Sequence, residues 1–127
     1  GGNRIAPSGS AHGKMVAVMR LDDFLSDHPL DRVDLIKIDV EGHELAVIRG
    51  ARKLLSEHRP FVLCEYNPRT ASAAGWNALD LREEIEAAMG PCHFTVMHYD
   101  APPTEFPPNP DSGDIVDLLV RPLSLDA

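Results

Sequence analysis

Apolar residues fall in short blocks along this 127-residue chain, and the blocks differ in period. Two of them, Val33–Val40 and Phe61–Cys64, are nearly continuous and rich in β-branched residues, which is typical of parallel strands covered on both faces. Looser runs predict three more strands, at Met15–Met19, Cys92–Tyr99 and Asp114–Arg121.

Apolar residues spaced by three and four predict the helices. The predicted set is one or two turns at Leu21–Leu25 with Asp22 or Asp23 as N-cap, one helix over residues 45–58, and Leu79–Met89 capped by Asn77 or Asp80. Residues 1–14 are predicted to be a flexible loop. The segment Asp100–Gly113 holds five of the 11 prolines and is predicted to form neither strand nor helix, but a functional lid or a disordered excursion.

The order of these elements predicts the fold class. Strands that alternate with helices favour an α/β fold with a mainly parallel sheet, because each crossover returns the chain in the same direction. No helix separates the last two predicted strands, so they are expected to pair antiparallel at an edge of the sheet.

Composition narrows the class of function. The chain has 12 Lys and Arg against 20 Asp and Glu, a net charge of −8, which argues against binding to nucleic acid or to an anionic membrane surface. No apolar run approaches the roughly 20 residues of a membrane span. Cys64 and Cys92 lie inside apolar runs and are predicted to be reduced core residues, which favours a cytoplasmic location.

Acidic and polar side chains follow two of the strands: Asp39, Glu41, His43 and Glu44 after the first, and Glu65, Tyr66 and Asn67 after the second. Ligands of open α/β sheets bind outside the carboxyl ends of strands, so Asp39 or Glu41 is expected to share a crevice with Glu65. Converging carboxylates indicate a cation, a catalytic base or a substrate hydroxyl. The alternatives are helix capping for Glu41 and plain exposure for His43.

Four stretches resemble the FkbM family of S-adenosylmethionine-dependent methyltransferases: Leu21–Leu25, Val33–Glu44 with its LIKIDVEGHE strand end, Val47–Ala51, and Pro60–Glu65. The resemblance implies a class I, Rossmann-like methyltransferase fold, in which four of the predicted strands are the fourth to seventh of seven. Residues 15–127 would then be the C-terminal half of the domain. The 127 residues contain no glycine-rich G-x-G-x-x-G loop, so the cofactor-binding half is expected to be absent and the chain alone to be inactive.

The resemblance also implies a reaction and its residues. The expected activity is O-methylation of a small-molecule or glycan hydroxyl, on a sugar, glycolipid or polyketide-type acceptor. Asp39, Glu41 and His43 would be catalytic, Asp39 and Val40 would contact S-adenosylmethionine, and Asp39, Glu65 and Asn67 could bind Mg²⁺. The open alternative is a non-catalytic interaction module that self-associates or needs a complementary N-terminal half.

Overall fold

A computed structural model describes residues 3–5 and 16–124. Its elements in chain order are β1 (Asn3–Ile5), β2 (Val16–Val18), α1 (Leu21–Asp27), β3 (Leu35–Ile38), α2 (Glu44–Arg49), α3 (Arg52–His58), β4 (Phe61–Tyr66), α4 (Pro68–Ala73), α5 (Ala78–Met89), β5 (Cys92–Met97), β6 (Thr104–Glu105) and β7 (Val116–Pro122).

The larger sheet is mixed, with the strand order β3-β4-β7-β5-β6. β3 and β4 form a parallel pair, whereas β7 is antiparallel to both β4 and β5. An α/β fold with an antiparallel β5–β7 pair is thus confirmed. Two details of the prediction are wrong: β3–β4 is the only parallel ladder among the described strands, and β7 lies inside the sheet. β3, β4 and β5 still run in one direction, so their carboxyl ends lie at one edge.

Alternation along the strands places the core on one face of the sheet. Val62 and Cys64 of β4 and Leu118 and Val120 of β7 are fully buried against a layer that includes α2, α3 and α5. Phe61, on the opposite face of β4, is 43% exposed. The period-two pattern of these strands therefore produces one packed face and one accessible face.

The predicted helix over residues 45–58 is in fact two helices, α2 and α3, interrupted at Gly50 and Ala51. Asp22 stabilises the second of them, because its carboxylate accepts the backbone N–H groups of Lys53 and Leu54 at 2.9 and 3.0 Å. Neither Asp22 nor Asp23 caps α1, whose N-cap is Arg20 and has no side-chain cap bond. An acid predicted to cap its own helix therefore caps another one.

The predicted cap of the last helix is confirmed. Asn77 accepts the N–H of Asp80 at 3.0 Å, and the Asp80 carboxylate accepts the N–H of Asn77 at 2.9 Å, so the pair forms a capping box. Both candidate residues take part, since each satisfies a donor that the helix leaves free.

The proline-rich segment contains a short strand, contrary to its prediction. β6 pairs antiparallel with β5. Next to it, the Phe106 ring packs 5.1 Å from that of Phe94, and the Arg82 guanidinium lies 5.6 Å from both ring centroids. The segment is therefore joined to the sheet and to α5 by specific contacts.

The start of the chain also differs from the predicted loop. β1 pairs antiparallel with β2, which lies within the strand predicted at 15–19. Residues 1, 2 and 6–15, and with them most of the predicted loop, lie outside the described residues, as do 125–127. Within the described ranges, no helix has the length and apolar character needed to cross a bilayer.

Candidate functional site

The turn between β3 and α2 has an unusual backbone. Glu41 has a φ of 47° and Gly42 a φ of 100°. A Cβ on Gly42 would lie 3.0 Å from Thr70 Cβ and 3.1 Å from the Thr70 carbonyl oxygen, so the turn can approach α4 only because this residue is glycine. α2 begins at Glu44, and Glu41 therefore lies before the helix rather than in its first turn. The helix-capping interpretation of Glu41 is wrong.

Glu44 fixes this turn from within. Its side chain is almost fully buried, with 2% exposure, and its two carboxylate oxygens accept the N–H groups of Val40 and Gly42, both at 2.9 Å. On the other side, Trp76 Nε1–H donates to the Gly42 carbonyl oxygen at 3.0 Å. The backbone next to Asp39 and Glu41 is thus held by two hydrogen bonds to a carboxylate, the stronger kind, and by one from the indole. The sequence analysis grouped Glu44 with the acids at the strand end. Its position two residues after Gly42 was the feature that could have indicated a structural role.

The carboxyl edge of the sheet brings three acids together. Asp39, Glu65 and Asp117 line one small cavity of about 80 Å³, together with Lys37 and Tyr99. The strand register explains the meeting. Ile38 pairs with Cys64, so the following residues Asp39 and Glu65 are neighbours, and Glu65 pairs directly with Asp117. The predicted crevice shared by Asp39 and Glu65 is confirmed.

The neighbouring acids disfavour the ionised form of Glu65. Desolvation, followed by the charges of Asp39 and Asp117, raises the pKa of Glu65 above its ordinary value. Glu44 and Glu41 add smaller contributions in the same direction. A carboxylate whose negative charge is disfavoured keeps its proton to a higher pH than an ordinary glutamate does. Asp117 was missed in the sequence because its position depends on β7 pairing with β4.

The other predicted catalytic residues lie elsewhere. His43 is exposed and lines two grooves together with Ala46, neither of which is the cavity of Asp39. Glu41 is exposed beside the cluster and acts on Glu65 through its charge. Val40, a predicted cofactor contact, is 39% exposed directly after Asp39. The structure therefore unites Asp39 with Glu65 and separates both from His43.

The predicted magnesium site at Asp39, Glu65 and Asn67 stays a prediction. Asn67 Oδ1 accepts the N–H of Arg69 at 3.0 Å and so caps α4. This oxygen therefore has a structural role. Across residues 3–5 and 16–124, no three His, Cys, Asp or Glu side chains are arranged to hold a metal ion. Of the three residues that the family resemblance implied as ligands, Asp39 and Glu65 line one cavity, whereas Asn67 caps α4.

Both cysteines are buried free thiols, as predicted. Burial raises the pKa of Cys64, and burial also raises the pKa of Cys92 to about 11. Since the thiolate is the reactive form of cysteine, neither side chain is suited to act as a nucleophile at neutral pH.

Comparison with known proteins identifies the class and then the family. The fold resembles that of the FkbM methyltransferase of Methylobacillus flagellatus KT, with a TM-score of 0.59 and 24% sequence identity to its crystal structure. The match covers 93% of this chain and 25% of the Methylobacillus chain. At this identity the likeness shows the fold alone. The family model for the methyltransferase FkbM domain matches residues 2–91. The chain therefore belongs to the FkbM-domain methyltransferases.

Two sequence relatives carry methyltransferase names. The chain is 55% identical over 40 residues to methyltransferase 1 of Beauveria bassiana, which covers 31% of this chain and 16% of the relative. It is 42% identical over 52 residues to the 2-O-methyltransferase NoeI of Sinorhizobium fredii, which covers 41% of this chain and 21% of the relative. The matched parts thus span less than a quarter of either relative. Membership of the family implies S-adenosylmethionine as the methyl donor.

Proposed function

We propose that this chain provides the acidic strand-end part of an O-methyltransferase domain that methylates a hydroxyl of a sugar, glycolipid or polyketide-type acceptor. The observation that carries the proposal is the convergence of Asp39, Glu65 and Asp117 at the carboxyl edge of the sheet of an FkbM-family chain. Ligands of open α/β sheets bind at this edge. The name of one relative, a 2-O-methyltransferase, supports oxygen as the acceptor atom.

The residues at this edge have distinct roles in the proposal. When bound, S-adenosylmethionine supplies a methyl group activated by a sulfonium centre. Asp39 accepts the proton of the acceptor hydroxyl, because an aliphatic hydroxyl is a weak nucleophile without a base. Glu65 lies beside this base, and the negative charge of Asp39 disfavours the ionised form of Glu65. Glu41 lies beside the site and adds negative charge to it. His43 lies outside the cavity of Asp39, and a catalytic role for it would require the acceptor to extend beyond that cavity.

The chemistry of the exposed groups fits the donor. Asp39 and Val40 are both exposed at the end of β3, where a carboxylate would accept hydrogen bonds from a cationic, hydroxylated ligand and the valine would contact an apolar ring. Asp39 and Val40 are therefore the residues proposed to contact S-adenosylmethionine.

The test is methyl transfer by an enzyme that contains this chain. Labelled S-adenosylmethionine would be incubated with a methyl glycoside, a glycolipid and a hydroxylated polyketide, and the products examined by mass spectrometry. We expect one methyl ether that survives mild alkaline hydrolysis. A methyl ester or a methylamine as the product would contradict O-methylation of a hydroxyl.

A non-catalytic module is the second candidate, and the exposed margin of the sheet favours it. β3 is an edge strand in the described sheet, and Leu35 is 57% exposed on it. Such an edge can pair with a complementary N-terminal half or with a second copy of the chain.

The two buried free thiols suit a reducing compartment, and a cytoplasmic location is part of either proposal.

Calorimetry and sizing separate the two candidates for the 127-residue chain. If the chain needs a complementary half, we expect no heat on titration with S-adenosylmethionine and elution as an oligomer. Micromolar binding by a monomer would show that the chain holds the donor unaided, and would remove the case for the module.

A further inference from the structure

A second cavity, of about 450 Å³, lies between the start of α5 and the proline-rich segment. We call it the Trp76 cavity; its walls include Tyr66, Trp76, Pro107, Pro110, Asp80 and Asn109. Its size falls within the range of about 300–1,000 Å³ that is usual for small-molecule sites. It shares no lining residue with the cavity of Asp39 and Glu65.

The Trp76 cavity lies at the same sheet edge as the acidic cluster. Tyr66 is the last residue of β4, and the proline-rich segment follows the carboxyl end of β5. Trp76 also bonds to the Gly42 carbonyl, one residue after Glu41. The Trp76 cavity is therefore joined to the turn that carries Glu41 by one hydrogen bond.

The walls of the cavity are held in place before any ligand binds. Trp76 is 8% exposed, and its ring lies 5.8 Å from that of Tyr66 at an angle of 54°. The packing of Phe106 against Phe94 anchors the opposite, proline-bearing wall. A preformed cavity loses less conformational entropy on binding than a flexible one.

The charge of the lining limits the kind of ligand. Asp80 is the only charged side chain among the described residues of the lining, so a phosphate or carboxylate ligand would meet no countercharge. Flat proline and aromatic faces favour the C–H face of a ring, and the Asp80 carboxylate and Asn109 amide can bond hydroxyl groups. These features together suit a neutral ring that bears hydroxyls.

We propose that the Trp76 cavity binds a neutral pyranose ring of the methyl acceptor. The inference rests on the proposed O-methyl transfer, and it selects a glycan over a polyketide as the acceptor class. A quaternary ammonium ligand, which aromatic residues and one carboxylate can also bind, is the competing occupant to be tested.

Trp76 is the only tryptophan of the chain, so its fluorescence reports directly on this cavity. The chain would be titrated separately with methyl glucopyranoside, a glucose tetrasaccharide, glucose 6-phosphate and choline. We expect a saturable change with the two neutral sugars, tighter for the tetrasaccharide, and at least tenfold weaker responses to glucose 6-phosphate and choline. Saturation by choline or glucose 6-phosphate alone, or no response to any probe, would overturn the proposal.

Two substitutions in the lining test whether the sugar binds in the Trp76 cavity. Asp80→Asn keeps an oxygen for the capping box but removes the charge, and should weaken sugar binding at least fivefold. Pro110→Gly, at an exposed wall position, should weaken it without touching the capping box. If both bind sugar as the unmodified chain does, the assignment is wrong.

Asp39→Asn is the matched control, because Asp39 lines the other cavity. It should leave the fluorescence titration unchanged while it stops methyl transfer in the active enzyme. Methyl transfer without sugar binding at Trp76 would reject the cavity assignment alone. Sugar binding without methyl transfer would reject the proposed function alone.

Discussion

Glu41 and Glu44 are three residues apart and have opposite environments. Glu44 is buried and accepts two backbone N–H groups, whereas Glu41 is exposed on a left-handed backbone and acts on Glu65 through its charge. A buried carboxylate with full hydrogen bonding contributes to the structure. An exposed carboxylate near like charges remains available for chemistry. The interior of the β3–α2 turn therefore positions its acidic rim.

The largest expected effect is on methyl-transfer turnover, at Asp39 next to the β3–α2 turn. Asp39→Asn should lower methyl-transfer turnover by about 100-fold or more in an enzyme that contains this chain, because an amide cannot accept the hydroxyl proton. Steady-state kinetics would measure it. Asp34→Asn, at an exposed acid before the same strand, is the matched control and should leave turnover unchanged. Equal turnover of the Asp39 variant and the unmodified enzyme would exclude Asp39 as the base.

The interior is tested most severely at Gly42. Gly42→Ala should lower the free energy of unfolding by about 3 kcal/mol, because its Cβ meets Thr70 at 3.0 Å on a backbone with φ of 100°. Gly75→Ala is the control: Gly75 also has a positive φ, 86°, but a Cβ added there would meet nothing within 4 Å. That change should cost only about 1 kcal/mol of conformational strain. Urea unfolding of both variants measures the contact; equal losses would mean that the approach to Thr70 is unimportant.

Glu44→Gln replaces one of two accepting oxygens with an NH₂ group that faces a backbone donor. We expect a loss of about 2 kcal/mol in unfolding free energy, because a buried N–H is left without an acceptor. Glu41→Gln should change it by less than about 0.5 kcal/mol, as is usual at exposed positions. If the two variants unfold at the same urea concentration, the distinction between interior and rim fails.

A smaller effect of the same kind is expected at Asp22 and Asp23. Asp22→Ala should cost about 1 kcal/mol of unfolding free energy, because it removes the cap of α3. Asp23 forms an exposed ion pair with Arg20 at 3.2 Å, and Asp23→Ala should cost less than about 0.5 kcal/mol. Thermal unfolding of the pair compares them; a larger loss for Asp23 would contradict the tertiary cap.

The period of apolar residues predicted most elements of this fold. It failed where contacts between residues distant in sequence determine the end of a helix or the place of a strand. The apolar period continues through Gly50 and Ala51, so the end of α2 was not visible, and the Asp22 cap that starts α3 comes from 31 residues upstream. Asp39 and Glu65 could be predicted to meet because each follows a parallel strand. Asp117 could not, since only the insertion of β7 beside β4 places it opposite Glu65.

Because the pKa of Glu65 is raised, the free energy of unfolding depends on pH with a definite sign. Between the ordinary glutamate pKa, about 4.3, and the raised value, folded Glu65 binds more protons than unfolded Glu65. Stability contributed by Glu65 is therefore full below the ordinary pKa and is lost as pH rises through the folded pKa. Glu65→Gln should flatten this part of the curve of unfolding free energy against pH.

The most direct test of the acidic edge is the pKa of Glu65 itself, measured by NMR titration of its side-chain carboxyl carbon. In the unmodified chain we expect a pKa above the ordinary value of about 4.3, and in Asp39→Asn a lower one, because a neighbouring charge has been removed. An ordinary pKa that Asp39→Asn leaves unchanged would contradict the convergence of these carboxylates.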